Sequence, residues 1–140
     1  MDEHVCLAKI FMAAGDHRRA FREVLLVHGP VNYESSSTIV VIAKTFIGDL
    51  QKTSAYLEAL EKKMSLMEKP EHTSSLNSFR GKINKELQHA CVSYIGAINN
   101  KFLKNPPPPV ACLFLKNKAD VFRYLFELKK MDATRVTTAY

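Results

Sequence analysis

Apolar residues along the chain recur at intervals of three, four and seven, so the pattern reads as helix almost throughout. One long stripe runs through Ile39, Ile42, Ala43, Phe46, Ile47, Leu50, Leu57, Leu60, Met64 and Met67. It absorbs the run Ile39-Val40-Val41-Ile42, which β-propensity taken alone assigns to a strand. Ser36 or Ser37 is placed to cap its start, and Pro70 lies just beyond its end. A second stripe, Leu76, Phe79, Ile83, Leu87, Ala90, Tyr94, Ile98 and Phe102, steps by three or four without a break. Thr73 or Ser74 is its expected cap. Asn105 and the four prolines at 106–109 stop it and read as a stiff loop. Each stripe predicts a helix of about 30 residues, hence ~45 Å, where the average is ~11–12 residues. Such lengths fit an elongated antiparallel array.

Ahead of these lie two shorter helical patterns, over 2–14 and 16–28, divided at Gly15 and closed by the breaker Gly29-Pro30. After the prolines, 110–131 predicts a fifth helix with Leu113, Phe114, Val121, Leu125, Phe126 and Leu128 as its apolar positions. Asp132 is placed to cap a sixth helix, cut short at Tyr140. The expected fold class is all-α, in one domain over 1–140.

Composition narrows the class of function. The chain has 140 residues, 46% hydrophobic and 24% charged, values of a globular domain and not of a disordered tail. No run approaches the ~18 apolar residues of a membrane span, and the acidic start does not suit a signal peptide. Three cysteines, Cys6, Cys91 and Cys112, stand far apart, with no metal-ligand spacing to the five histidines. A reduced compartment, cytoplasm or nucleus, is expected, with no metal and no cofactor. Neither a GxGxxG nor a GxxxxGK[ST] loop is present, and no nucleophile–base or carboxylate pair has an informative spacing, so an enzyme is not expected. His89 and Cys91 read as packing residues. Twenty basic against 14 acidic residues give +6, which suits an anionic partner without saying which. The cations form no tail and no aromatic–basic ladder, so specific nucleic-acid binding is not expected.

One segment is more particular. CLFLKNKADVFRYLFEL, residues 112–128, resembles the 14-3-3 family, in which a Leu-Lys-x-Lys-[GA]-Asp-x-x-Arg-Tyr-Leu stretch opens the fifth helix. Lys116, Lys118, Asp120, Arg123, Tyr124 and Leu125 fall in place without a gap. FRGKINKELQHAC at 79–91, NKFLKN at 100–105 and AKTFIGDLQK at 43–52 are similar to the family's fourth helix, its exit and its third helix. The resemblance implies a 14-3-3-like array truncated in its sixth helix, and a non-catalytic adaptor that grips phosphoserine or phosphothreonine segments of client proteins. It also implies a homodimer joined through the first four helices.

The residues carry a physical reading beside that likeness. A phosphate dianion is best held by cations and a hydroxyl on rigid elements, with Arg supplying a bidentate fork. Lys116 and Arg123, seven apart on one helix, return to nearly the same face after ~700° of rotation, and Tyr124 lies ~100° further round. Lys44 flanks the stripe of the third helix. Taken alone, these charges read as a solvated surface; the resemblance implies Lys44, Arg123 and Tyr124 as the phosphate ligands, with Lys116 a weaker one.

The chain also departs from the family. Gln51 stands where the family has an Arg seven residues after the third-helix Lys, and Leu50 where a second Arg is common. Losing that charge-assisted pair is worth ~1.5–3 kcal/mol, one to two decades of affinity. The family's later helices, which supply asparagines for the client backbone and the other groove wall, lie outside these 140 residues. The family is typically acidic, and this chain is basic. At the dimer interface the resemblance implies Ile10, Phe11, Asp16, Arg19, Phe79, Lys82, Ile83 and Glu86. Lys82 and Glu86 match the family, whereas Asp16 and Arg19 carry exchanged signs, so a weaker or differently docked homodimer is expected. Two other readings remain: an assembly module binding acidic unphosphorylated segments, and a basic helical scaffold for nucleic acid or membrane surfaces.

Overall fold

Asp2 opens helix α1 (Glu3–Ala13) by accepting from the His4 amide at 2.8 Å. It also accepts from the His28 amide at 3.1 Å, which ties the start of α1 to the end of the next helix. The computed structural model describes residues 2–67 and 70–139, with side chains over 2–67 and 71–130. Gly15 has φ +80°, a left-handed turn conformation that glycine adopts without steric cost. Asp16 then caps α2 (His17–Leu26), accepting from the Arg19 amide at 3.2 Å. Ala20, Phe21 and Val24 point from α2 into the core.

Helix α3 (Tyr33–Leu66) starts earlier than the serines suggest. Its cap is Asn32, which accepts from the Ser35 amide at 2.7 Å. Ser36 lies inside the first turn, buried, and donates to the Asn32 carbonyl at 2.6 Å. The run Ile39–Ile42 is helical, because tertiary burial of Ile39, Val40 and Ile42 outweighs β-propensity. Helix α4 (Pro70–Ala97) likewise starts before Thr73 and Ser74, with proline at its first position. It ends in a π turn over Ile98–Phe102, closed by the Leu103 amide on the Ile98 carbonyl at 2.9 Å. Asn105, at φ 51°, terminates the connection. Helix α5 (Pro108–Ala139) takes two of the four prolines into its first turn, where no N–H is needed. Its backbone continues unbroken past Asp132, so the expected sixth helix does not begin there, and the Asp132 side chain lies outside the described residues.

The described residues form helices and no strands. The pairs α1/α2, α2/α3, α3/α4 and α4/α5 pack together, and α5 also returns against α3. Cross-links fix the direction. Ser54 donates to Asn84 at 2.6 Å and Arg80 pairs with Glu61 at 2.7 Å, so residue numbers rise on α3 as they fall on α4. The Tyr94 hydroxyl donates to Asn117 and Phe102 stacks on Phe114, so residue numbers rise along α4 and its π turn as they fall on α5. Both pairs are antiparallel.

One continuous core runs from Val5 to Leu128. Phe21 stacks on Phe46 with centroids 5.0 Å apart, and Phe102 on Phe114 at 4.9 Å. Burying such a ring contributes about 1.5–3 kcal/mol. Phe126, expected among the apolar positions of α5, is instead 69% exposed. Gly29 is required by close approach: a Cβ there would stand 2.4 Å from the Lys101 carbonyl oxygen. Lys101 in turn donates to the Leu25 carbonyl at 2.6 Å, which seats the exit of α2 on the π turn.

Candidate functional site

Helices α3 and α5 pack side by side and supply every residue expected to hold phosphate. Tyr124 is half-buried against the core, and Gln51 shares a shallow depression of about 160 Å³ with it. Ser54 and Glu58 complete the α3 side of that depression, and Glu127 stands beside Tyr124 on α5. The Arg123 guanidinium lies 5.4 Å from the centre of the Tyr124 ring, a cation–π distance. It is 62% exposed and its Nη2 stands 3.9 Å from Asp120 Oδ1, so its fork is open to an incoming anion. Lys44 is exposed on α3, seven residues before Gln51 and hence on nearly the same face. Lys116 is exposed one turn before Asp120. Neither lysine lines the depression, and Arg123 is tied to it only through its contact with Tyr124, so of the expected phosphate residues Gln51 and Tyr124 share it.

Three carboxylates that were not expected to act at the site border it. Asp120 competes for Arg123, Glu127 lines the depression, and Glu58 lies 4.0 Å from both Lys62 and Arg80. An i,i+3 spacing from Asp120 to Arg123 was the available signal for the first. Asp120 stands beside Arg123, and its like charge tempers the site's attraction for an arriving phosphate.

The residues expected at a dimer interface take several roles. Asp16 is the α2 cap and pairs with Arg19 at 3.5 Å, while the Arg19 guanidinium sits 5.7 Å over the Phe11 ring. Ile10 and Phe79 are exposed, Lys82 is exposed, and Ile83 is buried within the chain's own core. Glu86 accepts from Arg18 of its own chain at 2.7 Å. Arg18, missed in the sequence, also lies over Phe46 at 5.7 Å.

His89 is exposed, not packed, and lines a cavity of about 460 Å³ with Arg18, Arg22 and Phe46. Cys91 is buried, and burial pushes its thiol up to about 11, which keeps it protonated and unreactive. Among the described residues no cluster of His, Cys, Asp and Glu has the grouping of a metal site. No helix among them is long and apolar enough to cross a membrane.

Helix order, antiparallel pairing and the Arg123-Tyr124 pair on α5 together define a 14-3-3-type helical array. The 14-3-3 protein family model matches residues 7–139, and the chain belongs to that family. It is 27% identical over 105 residues to 14-3-3 protein 10 of Solanum lycopersicum, covering 74% of this chain and 42% of the relative. It is 26% identical over 138 residues to the 14-3-3-like protein G-BOX factor 14 kappa of Arabidopsis thaliana, covering 94% and 56%. Against 14-3-3 protein beta/alpha of Xenopus tropicalis it is 24% identical over 123 residues, covering 87% and 50%. The chain spans about half the length of the curated relatives it matches.

Proposed function

We propose that the chain acts as a non-catalytic adaptor that binds phosphoserine or phosphothreonine segments of client proteins on the α3/α5 face. The observation that carries this reading is Arg123 held over Tyr124, with its guanidinium exposed and Gln51 in the depression beside it. Arg123 supplies the fork, the Tyr124 hydroxyl a donor, and Lys44 and Lys116 the flanking charge. Phosphorylated proteins are the partners, and a homodimer through α1 to α4 the assembly, with the cytoplasm or nucleus as the compartment. Titration of a phosphoserine peptide and its unphosphorylated twin tests the reading. Saturable binding of the phosphopeptide, at least tenfold tighter than the twin, is expected. Equal affinities would discard it.

The surround of Arg123 favours one alternative. Gln51 carries no charge, and Asp120 and Glu127 stand close by. A site so tempered suits acidic unphosphorylated segments, held by Lys44, Lys116 and Arg123 through weaker contacts to single carboxylates. The same titration separates the two.

A further inference from the structure

Helix α2 turns two pairs of side chains toward α4, Arg18 with Arg22 and Phe21 with Leu25, each pair one helical turn apart. Facing them on α4 are Glu86 and His89, and Phe46 of α3 closes the inner side. The cavity of about 460 Å³ between them has the size of a small-molecule site, ~300–1,000 Å³. A cube of that volume is about 8 Å on a side, narrower than an α-helix at ~10–12 Å. Helix α5 lines no part of it.

Its inner wall is apolar, with Phe21 stacked on Phe46 and Leu25 beside them. Its rim is cationic. Arg18 is engaged by Glu86 at 2.7 Å and lies 5.7 Å over the Phe46 ring. Arg22 is exposed and has no carboxylate partner among the described residues. Glu23, its neighbour in the chain, is turned to His4 of α1 at 2.7 Å, and Asp16 pairs with Arg19. Arg18 therefore balances Glu86, and Arg22 leaves one positive charge unanswered at the rim.

We propose that this cavity binds a small aromatic monocarboxylate, its ring against the Phe21–Phe46–Leu25 wall and its carboxylate in the Arg22 fork. A guanidinium offers two parallel N–H donors to one carboxylate, and the exposed His89 ring adds a nitrogen at the same rim. A phosphate dianion suits the place less, because Glu86 stands in the same lining and repels a second negative charge. A wholly hydrophilic anion would leave the apolar wall uncovered, and a neutral aromatic would leave Arg22 unused. The assignment is independent of the phosphate-binding reading, which shares none of these residues.

The test uses the full 140-residue chain with 2-naphthoate as probe, and 2-naphthamide and 2-naphthyl phosphate as controls. Titration followed by imidazole NMR signals should show saturable naphthoate binding with a Kd of about 1 mM or tighter. The His89 signal, assigned through His89→Gln, should shift more than those of the other histidines. Both controls should bind about tenfold more weakly. Arg22→Gln should weaken naphthoate binding about tenfold while the helical spectrum and thermal midpoint hold. His89→Glu, at another exposed position, should do the same by repulsion and provides the reading should Arg22→Gln fail to fold. Equal binding of naphthoate and naphthamide, tighter binding of the phosphate, shifts centred on other histidines, or undiminished binding by both variants would overturn the proposal. So would naphthoate binding that fades as rising protein concentration drives a homodimer, since a second subunit would then be the occupant.

Discussion

Arg18 Nε donates to Glu86 Oε1 at 2.7 Å, joining α2 to α4 within a single chain. That hydrogen bond raises the Arg18 pKa above its ordinary value, with the charge of Glu86 adding to it and partial burial opposing it. The pair is half exposed, so it contributes only about 0–1 kcal/mol to stability. Its larger effect falls on assembly, because Glu86 already has a cation when a partner arrives. Arg18→Ala should leave thermal stability nearly unchanged and free Glu86 for a cation of a second subunit. Sedimentation equilibrium should then show a tighter homodimer than the wild type. A weaker one would mean that Arg18 itself bridges subunits.

Arg123→Ala should cut phosphopeptide affinity at least tenfold, since it removes the exposed guanidinium beside Tyr124. Lys44→Glu should do the same through repulsion, and Lys116→Ala should do less because water replaces part of its contact. All three side chains are exposed, so the helical spectrum should not change. Titration calorimetry on folded variants decides, and full affinity in Arg123→Ala removes that residue from the site.

Gln51→Arg restores a cation at the Tyr124 depression. Phosphopeptide binding should tighten by about one decade, the lower end of a charge-assisted hydrogen bond. Glu58 and Glu127 line the same depression and are positioned to pair with the new guanidinium. Should they capture it, affinity will stay flat, and Glu127→Gln in the same background should release the gain.

The two long helices α3 and α4 and most of their packing faces were legible in the sequence because long stripes at helical spacing tolerate no other period, whereas α5 runs past the end expected near residue 131. The ends were less legible. Asn32, Ser35, Ser36 and Ser37 all offer capping oxygens; Asn32 takes the Ser35 amide, while Ser36 is buried and bonded to the Asn32 carbonyl. Phe126 sits at a position the stripe could include, yet α5 is turned so that Leu125 and Leu128 face inward. The cationic side of the candidate site was suggested by the likeness of residues 116–125 to the 14-3-3 pattern. Its acidic side was not, because Glu58 and Glu127 reach the depression from different helices and no spacing links them.

Asp2 gives the fold an acid-sensitive end. Partial burial works to raise its carboxyl, but hydrogen bonds from the His4 and His28 amides, with both imidazoles nearby, bring it below the ordinary carboxylate value. A carboxyl depressed on folding contributes stability above its unfolded pKa of ~3.9 and loses it as pH falls through the folded value. Asp2→Ala should cost about 1 kcal/mol at neutral pH, from the cap. The gap between mutant and wild type should close as pH falls below about 4. Urea melts at stepped pH would show it, and a gap independent of pH would assign the loss to something other than the ionised carboxylate.

The buried Tyr94 hydroxyl donates to Asn117, and burial raises the tyrosine pKa far beyond the physiological range. Tyr94→Phe leaves the Asn117 carbonyl oxygen without its donor and should cost about 1–3 kcal/mol. Tyr94→Phe with Asn117→Leu removes both polar partners and should recover much of the loss. Denaturant midpoints of the single and double variants measure this. A double variant no better than the single would show that packing volume at 117, not the hydrogen bond, sets the stability.

Arg80 has a mechanical consequence for whatever the protein carries. It is buried between α3 and α4, with Glu61 at 2.7 Å and Glu58 at 4.0 Å. Sliding one helix past the other by a turn, ~5.4 Å, would strand a buried guanidinium away from both carboxylates, at a cost of about 3–5 kcal/mol. The α3 edge that carries Lys44 and Gln51 is therefore a clamped rail, with no ratchet available to widen or narrow it. On the proposed adaptor reading, a client would bend its own chain to the spacing of that rail, and the protein would gauge its clients' shape as well as their charge.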